Sequence, residues 1–289
     1  LNTLDNSSKT ASKIVNSFFR SNKFIGSKDR KFISNSFWNI IRHRYKIKWH
    51  IKSLELRPLN TNELILELFF LNDNYKNNII KIKKLLILMS QDSKDFNQIS
   101  LDFLDEKLYR NFHHPDMQDH IKYELQEFLL NSIKASFPDQ WQDVALSINK
   151  EAFFDIRVNR IKNISRDQLS IKLKGLGIDH QYSQYSPLGI RFSKRYPIEG
   201  HELYKNGYLE IQGEASQVAS ILTDAKPGIQ IAEICSGAGG KSLILADLMM
   251  NKGRILSFDT SKKRLQNASI RLKRAGVHNV ERRHVNKNW

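Results

Sequence analysis

Apolar side chains recur at helical spacing through the first half of the chain. On one face of the first such segment lie Ile14, Val15, Phe18 and Phe19. A period near 3.6 residues is typical of an amphipathic helix whose apolar face enters a core. The same period is found at residues 27–45, 63–71, 77–89 and 121–136. Few Pro or Gly residues interrupt these segments, so the pattern predicts an all-α bundle over residues 1–145.

Further along the chain, short apolar runs replace the long periodic segments. Residues 153–158 are apolar and partly β-branched, which is typical of a strand. Ser165 is a suitable N-cap for a helix that runs to Lys174, and two glycines follow that helix. Residues 146–205 are therefore predicted to form a small α+β module.

The last section, residues 206–289, alternates strand-like and helix-like segments. A short apolar run at 229–234 is typical of a buried strand, and a Gly-rich loop follows it. The chain continues as helix, strand, acidic residue and basic helix, at 241–250, 254–258, Asp259 and 262–274. This order is the opening of a doubly wound α/β sheet, and the residues from Val280 onward permit a third strand. The section predicts an incomplete α/β domain of Rossmann-like architecture.

Charge adds a candidate partner. The chain has 46 Lys and Arg against 30 Asp and Glu, a formal net charge of +16. Nucleic acid is the commonest polyanionic partner of such basic proteins. Genomic bias is a competing explanation for the excess of lysine, because the chain is also rich in Asn and Ile.

Other classes of partner find little support in the sequence. The single cysteine, Cys235, cannot form an internal disulfide, so we expect a reducing, cytoplasmic location. No run approaches the roughly 18 apolar residues of a membrane span, so no membrane partner is expected. His113 and His114 have no cluster of Cys or acidic residues at ligand spacing, so we expect no metal. We expect a monomer.

The Gly-rich loop at 234–242, ICSGAGGKS, has three interpretations. The first is a phosphate-binding P-loop, because Gly240-Lys241-Ser242 matches the end of that motif, although Cys235 replaces its first glycine. The second is a dinucleotide-binding loop, in which Gly237 and Gly239 supply two glycines and Ser242 replaces the third.

The third interpretation is the S-adenosylmethionine loop of a Rossmann-like methyltransferase. There an acid near the end of the first strand, here Glu233, precedes the glycine bend. Glycine is needed because the main chain runs beside the ligand and some positions require positive φ. Asp259 follows the second strand about 20 residues beyond Gly239, where a carboxylate accepts hydrogen bonds from ribose hydroxyls. Acid, loop and second acid in this order favour the third interpretation.

With these motifs, the sequence resembles the Sun-type (NusB-domain) bacterial ribosomal RNA cytosine-5 methyltransferases over nearly the whole chain. Residues 234–242 are similar to the family's loop, LCAAPGGKT, with Ala238 in place of proline. Residues 207–217 are similar to the preceding segment, which usually ends QDEASQ, with Gly213 in place of aspartate. Arg157-Val158-Asn159 matches the RVN signature of the family's RNA-recognition-like module. Residues 25–42 resemble the first helices of its NusB-like domain.

The resemblance implies a NusB-like helical RNA-binding domain at 1–145, an RRM-like module at 146–205 and part of a class I methyltransferase domain at 206–289. It implies S-adenosyl-L-methionine as the cofactor, 16S ribosomal RNA as the partner and 5-methylcytosine as the product. The cofactor-binding residues are then expected to be Cys235, Ser236, Gly237, Ala238, Gly239, Gly240, Lys241 and Asp259.

The resemblance also implies how the reaction proceeds. In this family one cysteine adds to C6 of the cytosine and makes C5 nucleophilic, and a second cysteine assists release of the product. Both follow later strands of the sheet, whereas Cys235 lies in the cofactor loop, where we expect a small buried residue. We therefore assign no catalytic residue. We expect the catalytic cysteines beyond residue 289, and we expect this C-terminally truncated chain to be inactive alone.

RNA contact is expected from basic side chains of the first two modules, namely Arg30, Arg42, Arg44 and Arg157. An alternative function rests on residues 1–145 alone. It is a non-catalytic RNA-binding protein related to NusB-type antitermination factors.

Overall fold

The computed structural model describes residues 9–53 and 113–286. The chain divides into two compact units, residues 1–150 and 151–289. The helices predicted between residues 63 and 89 lie outside the described residues. Among the helices that are described, none combines the length and the apolar character needed to cross a bilayer.

The described part of the first unit is helical, as the periodicity predicts. Its helices are α1 (Ala11–Ser21), α2 (Ser27–Arg42), α3 (Arg44–Ser53), α4 (Asp119–Lys122), α5 (Glu127–Ser136) and α6 (Trp141–Ile148). Leu130 and Ile133 of α5 pack with Ala145 of α6 and with Leu125 in one buried cluster. Burial of these apolar faces is what turns marginal helices into a stable bundle.

The single helix predicted at 121–136 is wrong, because the chain breaks between α4 and α5. Glu124 lies at the break with a positive φ of 55°. Its carboxylate accepts hydrogen bonds from the main-chain N–H groups of Tyr45 at 2.9 Å and Lys46 at 3.3 Å. These groups belong to the first turn of α3, whose N–H donors have no partner within their own helix. Glu124 thus caps the N-terminus of α3, a helix that is distant from it in sequence.

The second unit alternates strands and helices. They are β1 (Phe154–Val158), α7 (Arg166–Gly175), β2 (His180–Tyr182), β3 (Gly189–Phe192), α8 (Glu202–Lys205), β4 (Leu209–Ile211), α9 (Glu214–Ile221), β5 (Gln230–Ile234), α10 (Gly240–Leu248), β6 (Arg254–Asp259), α11 (Lys262–Ala275) and β7 (Val280–His284). The predicted cap of α7 is confirmed: Ser165 forms a capping box with Gln168. Gly276 ends α11 in the left-handed conformation.

The first sheet of this unit is antiparallel, with strand order β2-β3-β1-β4. One of its faces carries Ile156 and Ile190, which pack in a buried cluster with Leu169 and Leu173 of α7. Because β4 is an edge strand of this sheet, the sheet extends past residue 205, where the sequence analysis placed the end of the module.

The second sheet is parallel, with strand order β5-β6-β7, and β7 is the third strand that the sequence permits. Helix α10 is buried on several sides. Its Ile244 belongs to the core of the first sheet, whereas Leu245 and Ala246 pack with Ile255 of β6. A helix enclosed in this way buries most of its residues, here the run 242–247. It holds the two sheets together in one unit.

Candidate functional site

The glycine-rich loop connects the carboxyl end of β5 to the first turn of α10. Three of its residues have positive φ, namely Cys235 at 62°, Gly237 at 59° and Gly239 at 77°. Glycine adopts this conformation without the steric penalty that a side chain brings. The loop therefore turns sharply at the end of the strand, where open α/β sheets bind their ligands.

Asp259 lies directly against this loop. One carboxylate oxygen accepts the main-chain N–H of Gly237 at 2.8 Å, and the other accepts the N–H of Ser261 at 2.7 Å. The residue is buried, with 4% of its surface exposed. Parallel pairing of β5 and β6 brings the two strand ends to one edge of the sheet. The second acid of the motif and the glycine bend therefore form a single site.

Glu233, the first acid of the motif, lies near the end of β5, just before the loop. Its carboxylate accepts hydrogen bonds from the hydroxyl groups of Ser242 on α10 and Ser257 on β6. Burial raises the pKa of Glu233 above its ordinary value, and the two serine hydrogen bonds oppose this rise. Ser242 is buried at 1% exposure. The hydroxyl that a P-loop would present to a metal–phosphate ligand instead points into the protein.

The loop has features that fit a polar ligand. The hydroxyl of Ser236 is buried, and within the described part of the chain it has no hydrogen-bond partner. A Cβ added at Gly237 would meet no atom within 4 Å, so the main chain there borders open space. Helix α10 begins at Gly240, and the N–H groups at the start of a helix favour carboxylate or phosphate oxygens. These features fit a nucleoside that carries an anionic tail.

The predicted loop residues are brought together, with one correction. Cys235 is exposed, not the small buried residue that the sequence analysis expects. It follows β5, an edge strand of the parallel sheet, which explains the exposure. For the same reason the prediction of a buried strand at 229–234 is wrong, because the residues of β5 are exposed or half-buried. Lys241 is exposed on the first turn of α10, and Gly239 is buried.

The predicted RNA-binding residues are not equivalent in the structure. Arg157 is 1% exposed and donates to the Gln212 side chain at 2.8 Å and the Val158 carbonyl at 3.1 Å. This burial is incompatible with the predicted contact between Arg157 and RNA. The arginine of the RVN signature instead has a structural role in the small sheet. Its side chain is enclosed on the face opposite the one that carries Ile156.

The other three arginines lie on the helical unit and are half-buried. Arg30 donates from Nε to the Ile25 carbonyl at 2.8 Å, and Arg42 donates from Nη1 to Asn39 Oδ1 at 3.2 Å. Arg44 begins α3. These side chains retain partly exposed surface, and their predicted contact with RNA stays a prediction. Within residues 9–53 and 113–286, no group of three or more His, Cys, Asp or Glu has the geometry of a metal site.

One set of charged residues near the loop was not identified from sequence. Glu210 of β4 is 1% exposed and pairs with Arg271 and Arg274 of α11. The sequence carries no local signal for this cluster, because a carboxylate more than sixty positions away along the chain leaves no periodicity.

Two protein families match the second unit and the end of the first. Residues 126–199 match the family described as Methyltr_RsmF/B-like, ferredoxin-like domain. Residues 208–286, which contain the glycine loop and Asp259, match the protein-L-isoaspartate(D-aspartate) O-methyltransferase family.

Curated relatives extend the likeness over most of the chain. Ribosomal RNA small subunit methyltransferase B of Photorhabdus laumondii is 24% identical over 263 residues, covering 88% of this chain and 61% of that protein. The protein of the same name from Pseudomonas syringae is 27% identical over 150 residues, covering 52% of this chain and 33% of that protein. The chain therefore spans less than two thirds of the length of these relatives.

Solved structures show the same fold. The crystal structure of PH0851 superimposes with a TM-score of 0.68 at 24% identity, covering 93% of this chain and 63% of that one. A methyltransferase homologue from Pyrococcus horikoshii gives a TM-score of 0.54 at 26% identity, covering 60% of this chain and 57% of that one.

Proposed function

Because this chain is a homologue of the Sun-type bacterial ribosomal RNA methyltransferases, we propose that its second unit holds S-adenosylmethionine for methyl transfer to RNA. The observation that carries this proposal is the contact between the Asp259 carboxylate and the Gly237 N–H at 2.8 Å. A nucleoside bound against the glycine bend would have its sugar within reach of that carboxylate. The proposal is supported by the carboxylate after the second strand, which in nucleotide-binding α/β sheets accepts hydrogen bonds from ribose hydroxyls.

Each loop residue has a proposed role toward the donor. The main chain at Gly237 and Gly239 allows close approach of the ligand, and Asp259 accepts hydrogen bonds from the ribose hydroxyls. Ser236 Oγ, buried without a partner among the described residues, is available to the methionine portion. The first N–H groups of α10 favour the ligand's carboxylate. When bound, the donor supplies a methyl group on a sulfonium centre.

We propose ribosomal RNA, specifically the 16S RNA of the small subunit, as the substrate and 5-methylcytosine as the product. The names of the curated relatives support the substrate, and the net charge of +16 supports a polyanionic partner. The proposed module order is a NusB-like helical domain, a ferredoxin-like module and a Rossmann-like methyltransferase domain. The target base must leave its stack to reach a pocket at the sheet edge.

Catalysis at C5 of cytosine needs cysteines that residues 1–289 do not supply. The one cysteine, Cys235, lies in the glycine-rich loop that we propose holds the donor, and we propose no role for it toward the base. A thiolate must add to C6 before C5 becomes nucleophilic enough to be methylated. We therefore propose that these residues bind the donor and RNA but do not complete the transfer.

Titration of the chain with S-adenosylhomocysteine, monitored by calorimetry, tests the donor site. We expect weak, saturable binding that is competed by S-adenosylmethionine and not by ATP or NAD. Asp259→Asn removes the negative charge that faces the ribose and is expected to weaken binding by about tenfold, the cost of one charge-assisted hydrogen bond.

Asp224→Asn is the matched control. Asp224 is exposed, pairs with Lys226, and has a positive φ of 52° that asparagine tolerates. This variant is expected to bind as the unsubstituted chain does. Equal binding by Asp259→Asn and the unsubstituted chain, or binding of ATP in preference to S-adenosylhomocysteine, contradicts the proposal.

A further inference from the structure

A buried carboxylate of the small sheet joins two arginines of the helix that follows β6. Glu210 on β4 is 1% exposed, and its two oxygens accept hydrogen bonds from Arg271 Nη2 at 3.1 Å and from Arg274 Nη2. A buried carboxylate is costly unless it is paired and hydrogen-bonded in this way. Glu210 therefore fixes the position of both guanidinium groups.

The two arginines differ in what they reach next. Arg271 turns its second Nη atom toward the glycine loop and donates to the Ala238 carbonyl at 3.0 Å. Arg274 instead lies over the ring of Tyr204, with its guanidinium carbon 3.7 Å from the ring centroid. Only Arg271 joins the buried carboxylate to the loop.

The hydrogen bond from Arg271 complements the one made by Asp259. Asp259 accepts the N–H of Gly237, and Arg271 donates to the carbonyl of the next residue, Ala238. Consecutive residues of the bend are thus held by an acceptor from β6 and a donor from α11. A guanidinium is suited to this role, because its rigid fork serves two acceptors at once.

We propose that Arg271 is a positioning residue for the loop, and that Glu210 holds it in place. The small antiparallel sheet thereby sets the conformation of the glycine bend through one side chain. Loss of Arg271 leaves the loop tethered on one side only, so residues 235–239 sample other conformations more often. That the bend receives a methyl donor rests on the proposed function, whereas the restraint on the loop does not.

Amide hydrogen exchange at residues 236–239 measures the restraint without any ligand. In the folded loop the main-chain N–H of Ser236 donates to the Phe258 carbonyl, and that of Gly237 donates to the Asp259 carboxylate. These amides exchange with solvent when the loop opens, so their exchange rate reports how freely the loop moves. For Arg271→Gln we expect an increase of about fivefold or more in this rate, because a restrained loop opens more often once a hydrogen bond is lost.

Arg274→Gln is the matched control, because it removes the other partner of Glu210 and leaves the Ala238 contact in place. Here we expect a change in rate of less than about twofold. Arg271→Lys keeps the charge beside Glu210 but lacks the fork, and its loop amides are expected to exchange nearly as fast as those of Arg271→Gln. Circular dichroism and thermal unfolding identify any variant that does not fold; Arg271→Lys, which keeps the ion pair, then carries the test.

The outcomes separate this inference from the proposed function. Equal rates for the Arg271 and Arg274 variants, or no change in the Arg271 variants, overturn the positioning role. A second measurement is the affinity for S-adenosylhomocysteine, which is expected to fall in the Arg271 variants and not in Arg274→Gln. If the unsubstituted chain binds no S-adenosylhomocysteine, the proposed function fails while the amide exchange rates still decide the role of Arg271.

Discussion

At Asp259 a single carboxylate serves both the fold and the proposed ligand. It accepts two main-chain N–H groups, from Gly237 and from Ser261, while 96% of its surface is withdrawn from water, since 4% is exposed. Each carboxylate oxygen has a further lone pair, so the same group can also accept hydrogen bonds from a sugar. Its removal should therefore change stability even without a ligand.

Asp259→Ala is expected to lower the free energy of unfolding by about 1–3 kcal/mol, because two part-buried main-chain N–H donors lose their acceptor. Urea denaturation followed by circular dichroism measures the change. Asp139→Ala, at an exposed position of the first unit, serves as the control and is expected to stay within about 0.5 kcal/mol. Equal stability of Asp259→Ala and the unsubstituted chain would show that solvent replaces the carboxylate at no cost.

The raised pKa of Glu233 predicts that the free energy of unfolding depends on pH. Burial raises its pKa in the folded protein above the ordinary value of 4.5. Between that value and the raised pKa, the carboxyl is ionised in the unfolded chain and protonated in the folded one. The folded state then binds more protons, so the contribution of Glu233 to the free energy of unfolding falls as pH rises through this window.

Glu233→Gln removes this fall and keeps an oxygen that accepts from Ser242 and Ser257. Relative to the unsubstituted chain, the variant is expected to gain stability as pH rises from 4.5, the ordinary value, through the raised pKa of Glu233. Chemical denaturation at several pH values measures the difference between the two proteins. A difference that does not vary with pH contradicts the raised pKa.

At the scale of elements, the loop and the two helices of the parallel sheet meet at Gly239. Its φ is 77°, and a Cβ built there would lie 3.1 Å from the Cβ of Ala268 on α11. Two features therefore favour glycine at this position: the left-handed backbone conformation and the closeness of the neighbouring helix. This close approach of α11 to the loop is also what lets Arg271 reach Ala238.

Gly239→Ala is expected to lower the free energy of unfolding by about 1–3 kcal/mol, because the side chain strains the left-handed backbone and crowds α11. The matched control is Gly175→Ala at the end of α7, where a Cβ would meet nothing within 4 Å. That variant is expected to be neutral or slightly stabilising, and thermal unfolding compares the two. Similar effects in both variants would argue against a special conformation at Gly239.

For the whole molecule, the excess of positive charge predicts how RNA binding responds to salt. The net charge of +16 is carried by both units. Contacts between Lys or Arg and phosphates release counterions from the RNA, so affinity falls as salt concentration rises.

The affinity of the chain for a fragment of 16S RNA is expected to fall by about tenfold or more between about 50 and 200 mM salt. Filter binding at a series of salt concentrations measures the slope. Arg30→Gln and Arg42→Gln are expected to reduce that slope, whereas Arg157→Gln is not, because Arg157 is buried. A slope that changes for Arg157→Gln and not for the other two would reverse this assignment.

Local patterns were sufficient for β1, for α7 with its cap at Ser165, and for the order of elements from β5 to α11 with the glycine bend between them. Each depends on side-chain periodicity or backbone freedom within a few neighbouring residues. Tertiary packing decided three other features. They are the helix break at Glu124, the enclosure of Arg157, and the bridge from Glu210 through Arg271 to Ala238. The Glu124 cap joins residues 78 positions apart and the Arg271 bridge spans 61 and 33 positions. Hydrogen bonds over such separations form only when the folded sheets and helices bring distant residues together, so no local pattern records them.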